Sequence, residues 1–236
     1  MWTRYELKIR AKEVFKGDYW NYVLVTLLLG LLMGSSILSL EIETNIYDYS
    51  TYYQLHFFGL ILFKFTGKIV IVIFIILLLL RIFFVNVIQV GGCKFFINGS
   101  LEKGKIEDLF FGFQKNYKNI LYVQFMTQLK IFLWSLLFII PGIIKSYEYA
   151  MVPYLLADNS DMDKDEILNL SRRMMEGNKW DFFVLELSFI GWILLAVSTF
   201  NIVGILYVDP YIEATHAQFY LKIKSLNNKV MNENVI

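Results

Sequence analysis

An all-α, polytopic membrane bundle is the fold class this sequence predicts, and three observations predict it. First, 57% of its 236 residues are hydrophobic and only 18% are charged, with a mean hydropathy of +0.51. Soluble domains stand nearer ~45–50% apolar and ~25% charged. Second, the apolar residues gather into runs close to the ~20 a helix needs to cross a bilayer. Third, the stretches between the runs differ sharply in Lys and Arg, as loops on opposite sides of a membrane do. These features predict one integral membrane domain over 1–236, with about six transmembrane helices paired as three hairpins and joined by interfacial amphipathic helices.

The chain opens with Thr3-x-x-Glu6, a capping-box pattern in which hydroxyl and carboxylate satisfy free amides at a helix start. Leu7, Ala11, Val14 and Phe15 then share one face, while Arg4, Lys8, Lys12 and Lys16 line another at four-residue spacing. That pattern predicts an amphipathic helix on an anionic leaflet, ending at Gly17. The first span, 21–40, carries no charge. Its charged lead is long for a signal peptide and no small-x-small site follows, so it is expected to remain uncleaved. The second span starts at 69–80 and continues past Arg81 to about 96. The third is 119–140, interrupted only by Lys130, and the fifth is 180–200, interrupted only by Glu186. Two charge-bearing segments, 143–157 and 205–223, follow breakers at Pro141-Gly142 and at 201–204, and each is expected to return across the membrane.

Charge placement sets the orientation. Arg4, Lys8, Arg10, Lys12 and Lys16 precede the first span, and Lys94, Lys103, Lys105, Lys115 and Lys118 accompany the end of the second. Lys164, Arg172, Arg173 and Lys179 precede the fifth, and Lys222, Lys224 and Lys229 lie in the tail. All of these are expected on the cytoplasmic side, with both termini, in a multi-pass plasma-membrane protein. The loop 41–65 holds Glu41, Glu43 and Asp48 against Lys64, and its Tyr47, Tyr49, Tyr52, Tyr53, Phe57 and Phe58 suit the outer headgroup zone.

A local grammar recurs. Asp163-x-x-Glu166 is a second cap, followed by the apolar stripe Ile167, Leu170 and Met174, with Arg172 and Arg173 beside it. Gly177 closes this helix and Trp180 opens a span, so "EGNKW" at 176–180 answers "KGDYW" at 16–20. A fainter copy begins near Lys105 with "FGFQKNYKN". Three repeat units, 3–98, 105–158 and 163–223, are therefore expected.

An ionisable group at mid-bilayer costs about 2.5–3.5 kcal/mol, so such groups face inward and seek partners. The candidates for a polar site are Arg81, Lys130, Lys145, Glu148, Glu186, Glu213 and His216, with Asp209 beside them. Glu186 is expected to pair with Lys130 or Arg81. Lys145 with Glu148, and Glu213 with His216, stand three apart on one helix face. Lys8, Lys12, Lys16, Arg172 and Arg173 are the candidate lipid-headgroup contacts.

Signatures of chemistry are missing. Two histidines, His56 and His216, build no His-Glu-x-x-His run, and no Gly-x-Ser-x-Gly elbow occurs. "VGGCKFF" at 90–96 lacks phosphate-loop spacing; its Gly91 and Gly92 are expected to permit close helix packing. The lone Cys93 makes no intrachain disulfide, and the acidic stretch 158–166 reads as a solvated helix start. No catalytic residue, cofactor or metal is assigned. The basic residues follow membrane edges, so the expected partners are lipids and a membrane protein, not nucleic acid. The expectation is a non-enzymatic accessory or scaffold protein acting through such contacts, with a small transporter or channel using the intramembrane charges as the alternative.

The stretches "PGIIKSYEYAMVPYLLADN" (141–159), "SRRMMEGNKWDFFVLELSFIGW" (171–192) and "DPYIEATHAQFY" (209–220) resemble a bacterial, mostly Gram-positive integral-membrane family called domain of unknown function 975. The opening "ELKIRAKEVFKGDYW" (6–20) fits the same pattern. The resemblance implies a plasma-membrane protein and carries no activity with it. Lys130 departs from that pattern. A more distant similarity to the membrane domain accompanying some glycerophosphodiester phosphodiesterases is an analogy of fold alone.

Overall fold

The computed structural model describes residues 3–33, 72, 76, 80–199 and 201–233. The expected outer loop 41–65, the later part of the first span and nearly all of 69–80 lie outside them, as does the side chain of Arg81. The described residues form helices and turns, with no strand among them.

Helix α1 is Arg4–Gly17. Thr3 Oγ1 accepts from the Glu6 amide at 3.2 Å, as the cap pattern requires. Glu6 does not return the bond; its carboxylate takes Arg10 at 2.9 Å. Asp18 interrupts the chain, accepts from Asn21 Nδ2 at 3.0 Å, and α2, Tyr19–Met33, follows. A π-helical turn, Arg81–Val85, leads into α3, Asn86–Leu101. Gly91 lets α3 touch a neighbouring backbone: a Cβ there would stand 2.0 Å from the Leu109 carbonyl oxygen, and one on Gly92 would meet Leu29. A 3₁₀ turn, Ile106–Phe110, and short α4, Phe111–Gln114, precede α5, Tyr117–Leu137.

The reversal after α5 falls at extended Phe138, three residues before the expected breaker, and α6 is Ile139–Glu148. Pro141 occupies the first turn of α6, where its missing N–H would be unbonded anyway. The expected return span 143–157 is not continuous: a turn at 149–151 divides α6 from α7, Val152–Asp158. Pro153 explains the break, because its ring would clash with the Tyr149 carbonyl in an unbroken helix. Tyr154, Leu155, Leu156 and Ala157 of α7 are buried in protein.

Helix α8 is Lys164–Met175, with Asp163 accepting from the Asp165 amide at 2.9 Å. Gly177, at φ +75°, ends it in a conformation that favours glycine. Helices α9, Lys179–Leu187, and α10, Ile190–Ser198, meet at Ser188-Phe189. Asn201, at φ +62°, turns the chain. A π-helical turn, Gly204–Val208, then opens α11, Asp209–Glu233, so the expected return at 205–223 is helical throughout.

One core joins these elements. The apolar stripes of α1 (Leu7, Ala11, Phe15) and α8 (Ile167, Leu168, Met174) enter it with α3, α7 and α11. Protein therefore covers the apolar stripes of the two helices expected at the membrane interface, while Tyr5 and Ile9 of α1 stay exposed. Larger uncovered apolar surface lies elsewhere. All residues from 132 to 140 are exposed, Ile139 by 77%, and α10 exposes Leu194 by 66%. Two stretches among the described residues, Tyr117–Leu137 and Lys179–Ser198, are long and apolar enough to cross a membrane, and only 22% of the most apolar part of each is buried.

Candidate functional site

Three of the candidate polar residues converge on one cavity of about 180 Å³ between α2, α3, α7, α9 and α11. Glu213 and His216 reach it from successive turns of α11, and Glu186 reaches it from the last turn of α9. Cys93 and Gln89, four apart on α3, line another side together with Tyr154 of α7. Phe182 closes the space, its ring 5.1 Å from the His216 ring and stacked on Phe219 at 4.6 Å.

Among the described residues Glu186 does not pair with Lys130: it accepts from the Tyr147 hydroxyl and stands 4.0 Å from His216 Nε2, whereas Lys130 is half-buried on α5 with no ion pair among them; the side chain of Arg81, the other expected partner, lies outside the described residues. Tertiary packing chose the partner, since α6 brings Tyr147 against α9. Glu213 and His216 share the cavity, yet His216 Nε2 is buried without a hydrogen bond among the described residues. Glu213 forms no ion pair among them. Among the described residues no three His, Cys, Asp or Glu side chains converge to hold a metal ion.

A second cluster surrounds Glu148, whose side chain is 5% exposed. Lys145 meets it at 2.9 Å, as the three-residue spacing predicts, and Lys179 meets it at 3.2 Å. Arg172 Nε also donates to Glu148, although more than half of the arginine side chain stays exposed. Ser171 adds a bond to the Glu148 carbonyl at 2.9 Å, fixing α8 to the end of α6.

The remaining candidate lipid contacts divide. Lys8 donates to the Ser188 carbonyl at 3.3 Å and lies 4.1 Å over the Phe189 ring, which places a cation at the C-terminal end of α9. Burial, then Lys12 and Arg4, hold its amine below the usual range. Lys12 lies 5.5 Å over the Tyr211 ring. Lys16 and Arg173 are exposed, without an ion pair among the described residues. From 158–166, Asp158 is bound to Lys224 and Tyr220 of α11.

Sequence reasoning missed Cys93, Gln89 and Tyr154 as lining groups. The four-residue spacing of Gln89 and Cys93 places both on one face of α3, a usable signal. Nothing local marks Tyr154, whose place comes from the break before α7.

The family model described as "Protein of unknown function (DUF975)" matches residues 137–227. That stretch contains the motifs at 141–159, 171–192 and 209–220, and with them Glu148, Glu186, Glu213 and His216; Cys93 and Lys130 fall before it. No curated protein and no solved structure matches the chain.

Proposed function

We propose that the chain is a multi-pass plasma-membrane protein that works through lipid and protein contacts rather than by turning over a substrate. The observation that carries the reading is the uncovered apolar surface of 132–140 and α10 on a protein whose amphipathic stripes are already buried. An aqueous protein would leave that surface in water at about 25 cal/mol for each Å². In this reading six spans place both termini in the cytoplasm, supported by the segregation of Lys and Arg. With Lys8, Lys12 and Arg172 engaged by groups of the protein, Lys16 and Arg173 are the cations left to hold anionic headgroups.

The test is lipid retention by the purified protein in nanodiscs of mixed phosphatidylglycerol and phosphatidylcholine, read by native mass spectrometry. Wild type retains the anionic lipid preferentially, and Lys16→Gln with Arg173→Gln reduces that preference several-fold while the helical circular dichroism stays unchanged. Unselective retention by wild type would overturn the reading. A small transporter or channel is the second reading, favoured by the cavity that gathers Glu186, Glu213 and His216. Ion or solute flux in proteoliposomes, lost in Glu186→Gln, distinguishes it.

A further inference from the structure

The cavity has a composition that selects a ligand. Two carboxylates, Glu186 and Glu213, face it, and neither Lys nor Arg lines it. The rest of the wall is mixed: Leu29 and Phe182 are apolar, while Tyr154 and His216 are aromatic with polar tips. A carboxylate away from bulk water is costly unless a positive charge or a proton balances it. Glu186, its side chain 39% exposed, has the Tyr147 hydroxyl and an imidazole 4.0 Å away; Glu213 has no ion pair among the described residues, so it is the carboxylate in want of a partner. His216 Nε2 is buried without a hydrogen bond among the described residues and lies on the same wall.

We infer that this cavity binds a small monovalent alkylammonium ion, held between Glu186 and Glu213 against the rings of Phe182 and Tyr154. Size fits: a cavity of about 150 Å³ holds benzene, and this one is about 180 Å³. Charge fits: neither carboxylate has a fixed cation, and the single ammonium balances Glu213 while the partly exposed Glu186 keeps solvent. The apolar wall selects an alkylated cation over a bare metal ion, for which no three donor side chains converge among the described residues. Aromatic rings attract such cations through their electron-rich faces. The inference stands on the cavity alone; it holds whether the protein acts as a lipid-contact component or moves solute.

The experiment uses the full chain in phosphatidylcholine nanodiscs with tetramethylammonium, n-butylammonium and the neutral, similarly sized tert-butanol. Isothermal titration should give saturable binding of at least one ammonium ion and none of tert-butanol. Glu213→Gln and Glu186→Gln should each weaken that binding at least tenfold, and Lys130→Gln should leave it unchanged. The inference is overturned if neither ammonium ion binds wild type, if tert-butanol binds equally, or if both carboxamide variants bind as wild type does. Binding without flux would leave the lipid-contact reading intact, and unselective lipid retention would leave this site intact.

Discussion

Glu148 shows how much a single side chain can organise. Three cations from three segments meet one carboxylate: Lys145 from α6, Arg172 from α8 and Lys179 from the start of α9. The exposures decide which substitution matters. Glu148 is 5% exposed, whereas Arg172 is 52% exposed and can be solvated without its partner. Glu148→Gln should therefore cost about 3 kcal/mol by leaving Lys145 uncompensated, in the range for breaking a buried pair. Lys145→Met leaves two cations on the carboxylate and should cost about 1 kcal/mol. Thermal unfolding of both variants in one detergent checks the order; equal losses would show that the cluster does not centre on Glu148. Spacing in the sequence revealed Lys145 with Glu148, because both sit on one helix. It did not reveal Arg172 or Lys179, whose approach depends on how α8 packs against α6.

Two elements built on the same local grammar end differently. Helices α1 and α8 both begin at a side-chain cap, bury an apolar stripe and close near a glycine. Gly177 takes φ +75°, while Gly17 stays in the helix with nothing within 4 Å of a Cβ added there. Gly177→Ala should destabilise by about 1 kcal/mol, the cost of a left-handed residue with a Cβ. Gly17→Ala should stabilise by up to about 1 kcal/mol, since alanine is the better helix former. Differential scanning of both variants checks the pair, and equal effects would remove the distinction between the two helix ends. The caps and stripes were legible because they are local. The break between α6 and α7 was also written in the chain, at Pro153, but the apolar run around it read as one span. The break at Ser188-Phe189 had no such sign. There Lys8 takes the Ser188 carbonyl, a contact made 180 residues away.

At the scale of the whole molecule, the buried and uncovered apolar surfaces serve different ends. The core takes the amphipathic stripes of α1 and α8 with much of α3, α7 and α11, and leaves 132–140 and α10 uncovered. Apolar patches on soluble monomers reach only about 300–600 Å², and the tip of the α5–α6 hairpin exposes Leu136, Leu137, Phe138, Ile139 and Ile140 together. Lipid is the surrounding that would make this arrangement favourable. The excess of apolar residues was legible in the composition, whereas their division between core and uncovered surface depended on which helices pack and was not legible along the chain. Water and lipid predict opposite effects for a charge placed at the tip. Leu136→Asp with Ile139→Asp should cost, for each carboxylate that enters the hydrocarbon, up to the ~2.5–3.5 kcal/mol of a mid-bilayer charge, so the protein should lose much of its carbonate-resistant membrane fraction. The same pair on a water-facing tip would raise solubility and leave yield unchanged. Lys130→Asp, on a half-buried position of α5 nearer the core, separates depth from charge. A loss confined to the tip variants places the hairpin in the bilayer, and an unchanged membrane fraction in those variants would remove the hairpin from it.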